Sequence, residues 1–150
     1  MLNIASSEFA LLLRSVLDRG GSLKFETRGS SMSPFIRDSD WVTTAPLGRR
    51  AVRLGDIVAC VVSENERPII HRVVSRKNGC YLIKGDRTAS ADGHAYAEDI
   101  IGRVTVVERN DRKVMLGLGP ERVMIAILSR VGLLRLLGPL GRLVRFLGGR

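Results

Sequence analysis

Aromatic rings, cysteines and, toward the C-terminal end, acidic residues are scarce in this sequence, and each scarcity removes a class of protein. Aromatics are 5% of 150 residues. That leaves little ring surface on which bases could stack, and no nucleic-acid partner is expected. The only cysteines are Cys60 and Cys80, too few for a disulfide framework and not spaced as metal ligands. No metal or cofactor is expected. Cys60 lies within Asp56–Val62, an apolar run where a thiol acts as a small hydrophobe. No run reaches the ~18 uncharged apolar residues of a membrane-spanning helix. The apolar stretch Phe9 to Leu13 meets Arg14 at once, with no small-residue cleavage site, so no signal peptide is read there. Neither an internal repeat nor a low-complexity linker is visible.

What remains is an ordinary globular balance, 45% apolar and 26% charged, in a length that suits one cored domain. The net charge of +9 is unevenly spread, because Glu121 to Arg150 holds six Arg against one Glu. Such a tail suits an anionic partner. Three regions follow. Residues 1–22 hold an amphipathic helix over 8–19, with Phe9, Leu12, Leu13, Val16 and Leu17 at helical spacing and Gly20-Gly21 as its stop. Residues 23–118 carry short β-type runs: Leu23–Arg28, Trp41–Ala45, Asp56–Ser63, Pro68–Ser75, Tyr81–Lys84, Gly102–Arg109 and Lys113–Gly117. Lys77-Asn78-Gly79 and Asn110-Asp111-Arg112 punctuate them as hairpin connections. The fold class is therefore mostly β: a compact antiparallel domain with a short N-terminal helix. Residues 119–150 form a basic amphipathic C-terminal segment. It is apolar from Val123 to Leu137, broken at Gly138-Pro139, and resumes from Leu140 to Leu147. Arg130, Arg135, Arg142 and Arg145 disfavour a membrane span and suit a pair of helices in the membrane interface, with a helical hairpin packed on the protein or a partner as the competitor.

The chemistry-bearing stretch runs from Arg28 to Val42 and contains Gly29, Ser30, Ser31, Met32, Pro34, Asp38 and Asp40. A serine hydroxyl is a weak nucleophile that needs a base to take its proton. Histidine is neutral at cellular pH without any large perturbation, and His71 and His94 are the two available. His71 sits in an apolar β-type run, while His94 sits in the turn Ala91-Asp92-Gly93-His94.

The string Gly-x-Ser-Met-x-Pro, followed by Asp38-Ser39-Asp40 and an apolar strand, resembles the nucleophile box of type I signal peptidases and LexA-type self-cleaving proteases. Gly55-Asp56-Ile57-Val58, then Ile69 to Val74, then Ile83-Lys84-Gly85-Asp86 with Asp92, and Ile101 to Val104 are similar to the later boxes, in order, over residues 23–107. The resemblance implies a serine endopeptidase with the signal peptidase catalytic core, Ser31 as nucleophile, and the base at His71. Many relatives place a lysine there, so this chain resembles the histidine branch, and Lys84 matches a family lysine that is not the base. In that branch the acid orienting the histidine falls on Asp92, with Asp86 as the other candidate acid at the site. Gly29, Ser30, Met32 and Pro34 would form the oxyanion and substrate wall. Signal peptidases commonly place a hydroxyl two residues before the nucleophile, where this chain has Gly29, so the N–H groups of Ser30 and Ser31 are the expected donors.

The implied partner is a peptide or preprotein, extended along a strand edge with small residues at the first and third positions before the cut. The expected location is peripheral, on the cytoplasmic face of a membrane touched through residues 121–150. Two rivals stand beside this. A membrane-surface adaptor accounts for the tail but leaves Ser31, His71 and Asp92 as coincidence. A LexA-type self-cleaving regulator needs a DNA-binding unit, and residues 1–22 are too few for a helix-turn-helix.

Overall fold

The computed structural model describes residues 6–62 and 67–135. It is a mostly β fold. Helix α1 (Ser6–Asp18) leads into strands β1 (Leu23–Glu26), β2 (Trp41–Ala45), β3 (Ile57–Cys60), β4 (Ile69–Lys77), β5 (Cys80–Lys84), β6 (Gly93–Ala95), β7 (Ile100–Arg109) and β8 (Arg112–Lys113). Helix α2 (Arg122–Arg130) and a short 3₁₀ turn, Leu133–Arg135, follow. The strands join in the order β1-β2-β7-β3-β4-β5-β6, with β8 on β7, and each pairing is antiparallel.

Local chemistry sets the turns. Gly20 ends α1 at φ +80, its N–H donating to Leu17 O while Gly21 N–H donates to Val16 O, as an αL C-terminus requires. Asn78 and Gly79 both hold positive φ between β4 and β5, and Asn110 and Asp111 do so between β7 and β8. Two successive positive-φ residues match the right-handed twist of paired strands, so these hairpins close tightly.

The core lies on both faces of the sheet. Val58, Cys60, Val73, Tyr81, Ile83 and Ile100 form one cluster. Met32, Ile36, Val42, Ile57, Val104 and Val107 form a second. Leu13 and Leu17 of α1 close a third over Ala59 and Ile101. A side chain at Gly102 would collide with Leu17 and with Ala45 O, so that glycine is what lets α1 lie against β7. Burial pushes the Cys60 thiol up to about 12, with Asp92 and Asp99 adding to the rise.

Several boundaries differ from the sequence expectations. Strand β6 was not anticipated, because Gly93-His94-Ala95 offers no apolar run. The strand expected over Lys113–Gly117 stops at Lys113. Beyond it the chain leaves the sheet, exposing Met115 and Leu116 before Gly117 turns inward, where its O accepts from Arg72 Nη1 at 2.9 Å and the Glu121 carboxylate accepts the N–H groups of Gly117 and Gly119. Those bonds hold the Glu121 carboxyl below its usual range. The helical run expected from Val123 to Leu137 breaks near its middle. Helix α2 ends at Arg130, and Gly132 turns the chain at φ +77. The expected helix from Leu140 to Leu147 lies outside the described residues, as does the expected end of the third strand at Ser63. As far as residue 135 the C-terminal segment packs on the body. Ile125 and Leu134 join Phe35 in a fourth apolar cluster, Ser129 is fully buried, and Gly55 has no side chain to meet Arg122 O.

Candidate active site

The loop between β1 and β2 is fixed before any chemistry is considered. Thr27 N–H donates to Asp40 O, and Ser39 N–H donates back to Thr27 O. The Asp40 carboxylate takes Arg109 in two bonds, 2.8 and 2.6 Å, and also accepts Arg37 N–H. Asp38 Oδ1 accepts Gly29 N–H at 2.7 Å, with Gly29 at φ +94, a conformation that glycine adopts without a Cβ penalty. Met32, Phe35 and Ile36 then point inward and are buried. Ser31 is left at the surface of a tightly held turn.

A second turn meets it. Strand β5 ends at Lys84, and the chain from Gly85 to Thr88 folds back so that Arg87 N–H donates to Ser31 O at 2.8 Å. Thr88 Oγ1 donates to Gly85 O. A Cβ on Gly85 would stand 2.8 Å from Ser31 O and 3.1 Å from His71 Nε2. Gly85 is therefore a clearance between the serine turn and the histidine.

Ser31, His71 and Asp92 form one hydrogen-bonded chain. His71 Nε2 lies 2.8 Å from Ser31 Oγ, and His71 Nδ1 lies 2.5 Å from Asp92 Oδ2. A carboxylate can only accept, so the imidazole donates from Nδ1 to Asp92 and Nε2 accepts from the serine hydroxyl. The His71 side chain is 8% exposed and that of Asp92 is 28% exposed. Asp92 itself is placed by its N–H, which donates to Ile83 O. His94 is exposed on β6, in register with Leu82, so it is His71 that reaches the serine.

Asp86 does not join this chain. Alternate residues of a strand face opposite sides, and Arg72, next to His71, turns inward. Its guanidinium binds Asp86 through Nε–Oδ1 at 2.8 Å and Nη2–Oδ2 at 2.7 Å, with both side chains fully buried. Arg72 also donates to Gly55 O and Gly117 O and lies over the Phe35 ring. Of the two candidate acids, Asp92 is the one at the histidine, and the Asp86 carboxylate is committed to Arg72. Lys84 is buried, and its ammonium donates to Thr88 O at 2.7 Å and Gly85 O at 3.3 Å, with Ser129 Oγ at 3.5 Å. Arg72, Gly85 and Arg87 were not singled out from sequence. Their roles depend on which segments meet in space, and nothing in their local pattern signals it.

Beside Ser31 and His71 opens a cleft of about 530 Å³, walled by Phe9, Leu13, Phe25, Met32, Ile36 and Ile70. Pro34 is exposed and Ser30 lies at the surface. The N–H groups of Ser30 and Ser31 have no acceptor among the described residues. Strand β1 ends the sheet, and β4 pairs with β5 only from Arg72 onward, so both strands bordering the cleft present an unpaired edge. Among the described residues no group of three or more His, Cys, Asp or Glu is placed to hold a metal ion. No described helix is long and apolar enough to cross a membrane. No family model matches the chain, and no curated protein does either.

Proposed function

We propose that the protein is a serine endopeptidase, in which Ser31 attacks a peptide carbonyl, His71 serves as general base and acid, and Asp92 orients the histidine. The observation that carries this reading is the continuous hydrogen-bonded chain Ser31 Oγ–His71 Nε2, His71 Nδ1–Asp92 Oδ2. A nucleophile, a base and an orienting acid in one line is the arrangement that acyl transfer needs. As Oγ attacks, its proton passes to Nε2, and the imidazolium that forms is stabilised by Asp92. The tetrahedral oxyanion is met by the N–H groups of Ser31 and Ser30. When the intermediate collapses, the proton goes to the departing amine, leaving an acyl-enzyme on Ser31. Water, deprotonated by the same Nε2, then releases the acid product.

The substrate is an extended peptide lying in the cleft between the open edges of β1 and β4, where main-chain bonds give affinity and apolar walls select side chains. The signal peptidase resemblance adds a preference for small residues at the first and third positions before the cut, in a precursor peptide or preprotein. No metal or cofactor enters these steps.

The test is hydrolysis of a peptide library, read by mass spectrometry, together with active-site labelling by a fluorophosphonate. Ser31→Ala is expected to lower kcat/KM by on the order of 10⁴-fold or more with an unchanged melting profile, because the triad acts as a unit. A folded Ser31→Ala variant that still cleaves would end the assignment.

A further inference from the structure

Helix α2 has two apolar faces, and the body accounts for only one of them. The inner face carries Ile125, Ala126 and Ser129 into the protein. On the outer face, Val123, Met124, Ile127 and Val131 follow one stripe and stand 40–62% exposed. The loop leading into the helix exposes Met115 at 78% and Leu116 at 57%. That loop is tied to the helix start, since Glu121 accepts from Gly117 and Gly119 and Arg122 Nη1 donates to Leu118 O. Exposed apolar residues scattered singly are ordinary, but a helical stripe with a second exposed apolar pair in the loop tied to its helix is a surface.

We propose that this surface, the outer face of α2 with Met115 and Leu116, docks on an anionic lipid bilayer. Charge decides among the occupants. Arg112 and Lys113, just before Met115 in the chain, and Arg130, in the last turn of α2, are exposed. From Arg112 to Arg135 the single acid is Glu121, whose carboxylate is turned onto backbone N–H groups. From Arg122 to Arg150 the sequence has six Arg and no acid. A second copy would bring this cationic frame against itself. Residues 136–150, folding back, would bring Arg142, Arg145 and Arg150 against the same cations. Anionic headgroups oppose the charge, while the apolar stripe enters the boundary with the acyl chains. The inner face of α2 packs on Phe35, so the outer face is the one left for the bilayer. The proposal does not depend on the peptidase reading.

The experiment is sedimentation of the full chain with phosphatidylcholine vesicles, either pure or with roughly 30 mol% phosphatidylglycerol. Binding is expected only with the anionic vesicles, and it should weaken as salt rises. Met124→Ser/Ile127→Ser and Met115→Ser/Leu116→Ser should each lower the partition coefficient about tenfold. Hydrogen–deuterium exchange on the wild-type chain gives a readout that needs no variant to fold. Protection over residues 114–133 should appear with anionic vesicles and not with neutral ones. Three results would overturn the proposal: no vesicle binding, protection confined to residues after 135 with variants binding like wild type, or a lipid-free dimer by light scattering that the same variants abolish. Peptide hydrolysis in lipid-free buffer is scored separately, so either reading can fail without the other.

Discussion

Asp92 and Asp86 stand six residues apart at the end of the β5 region and do entirely different work. Asp92 is partly solvated and touches His71 Nδ1, so its loss should be felt in catalysis and little in stability. Asp92→Asn presents an amide where the imidazole needs an acceptor, favouring the wrong tautomer. It is expected to lower kcat by about 10²–10⁴-fold with an unchanged urea midpoint. Asp86→Asn leaves the fully buried Arg72 guanidinium without its counter-charge, a change that costs about 3–5 kcal/mol. It is expected to move the urea midpoint sharply and to spare kcat per folded molecule. Equal urea midpoints for the two variants would reject this division of labour. Ser31 was marked out from Ser30 and Ser33 only by the family string, whereas His71 was visible locally as a histidine in an apolar run. The choice of Asp92 came only from the family spacing, because the contact joins residues 71 and 92 across β4, β5 and the turn after them. Arg72 was invisible as an interior residue. Its burial depends on four acceptors drawn from residues 55, 86 and 117, which only the folded chain assembles.

Two turns from different parts of the chain make the site, and their fit depends on one missing side chain. The Gly85–Thr88 turn is held from behind by the Lys84 ammonium and in front by Arg87 N–H on Ser31 O. With the neighbouring atoms so close to Gly85, an added methyl must push the serine turn from the histidine or the histidine from the serine. Gly85→Ala is expected to reduce kcat about 10²-fold, as a displacement near 1 Å does at a reacting centre. The circular-dichroism spectrum should stay near wild type. A variant with wild-type kcat would show that the two turns do not constrain each other. At this scale much of the fold was legible. The strand over Trp41–Ala45 matches its expected bounds, and both hairpin turns follow from Asn, Gly and Asp at positions that need positive φ. Strand β7 begins at Ile100, two residues before its expected start, because pairing with β3 extends the ladder past the point where Gly102 weakens the apolar pattern. The end of β8 was not legible, since the bonds that draw Gly117 away from the sheet come from Arg72 and Glu121.

Over the whole molecule, composition changes at a point where the packing continues. The basic, leucine-rich character begins near residue 119, yet the packing does not end there. Ile125 and Leu134 close over Phe35, Ser129 stands beside the Lys84 ammonium, and Arg122 pairs with Asp56 at 3.4 Å. A hydropathy pattern reports that a helix has an apolar face, but it does not report whether protein or lipid covers that face, and α2 carries apolar residues on both sides. A chain ending at Pro120 loses the burial of Ile125 and Leu134, about 1.5–3 kcal/mol each, and uncovers Phe35 beneath the serine turn. Against a total stability of roughly 5–15 kcal/mol for a domain, that is a large fraction. The shorter chain is expected to unfold at markedly lower urea and to react poorly with a fluorophosphonate. A chain ending at Arg135 retains every contact named here, and it is the reference against which the shorter chain is measured. The measurement is a pair of urea titrations with parallel labelling time courses. If the chain ending at Pro120 is as stable and as reactive as the one ending at Arg135, α2 is an appendage and not part of the catalytic body.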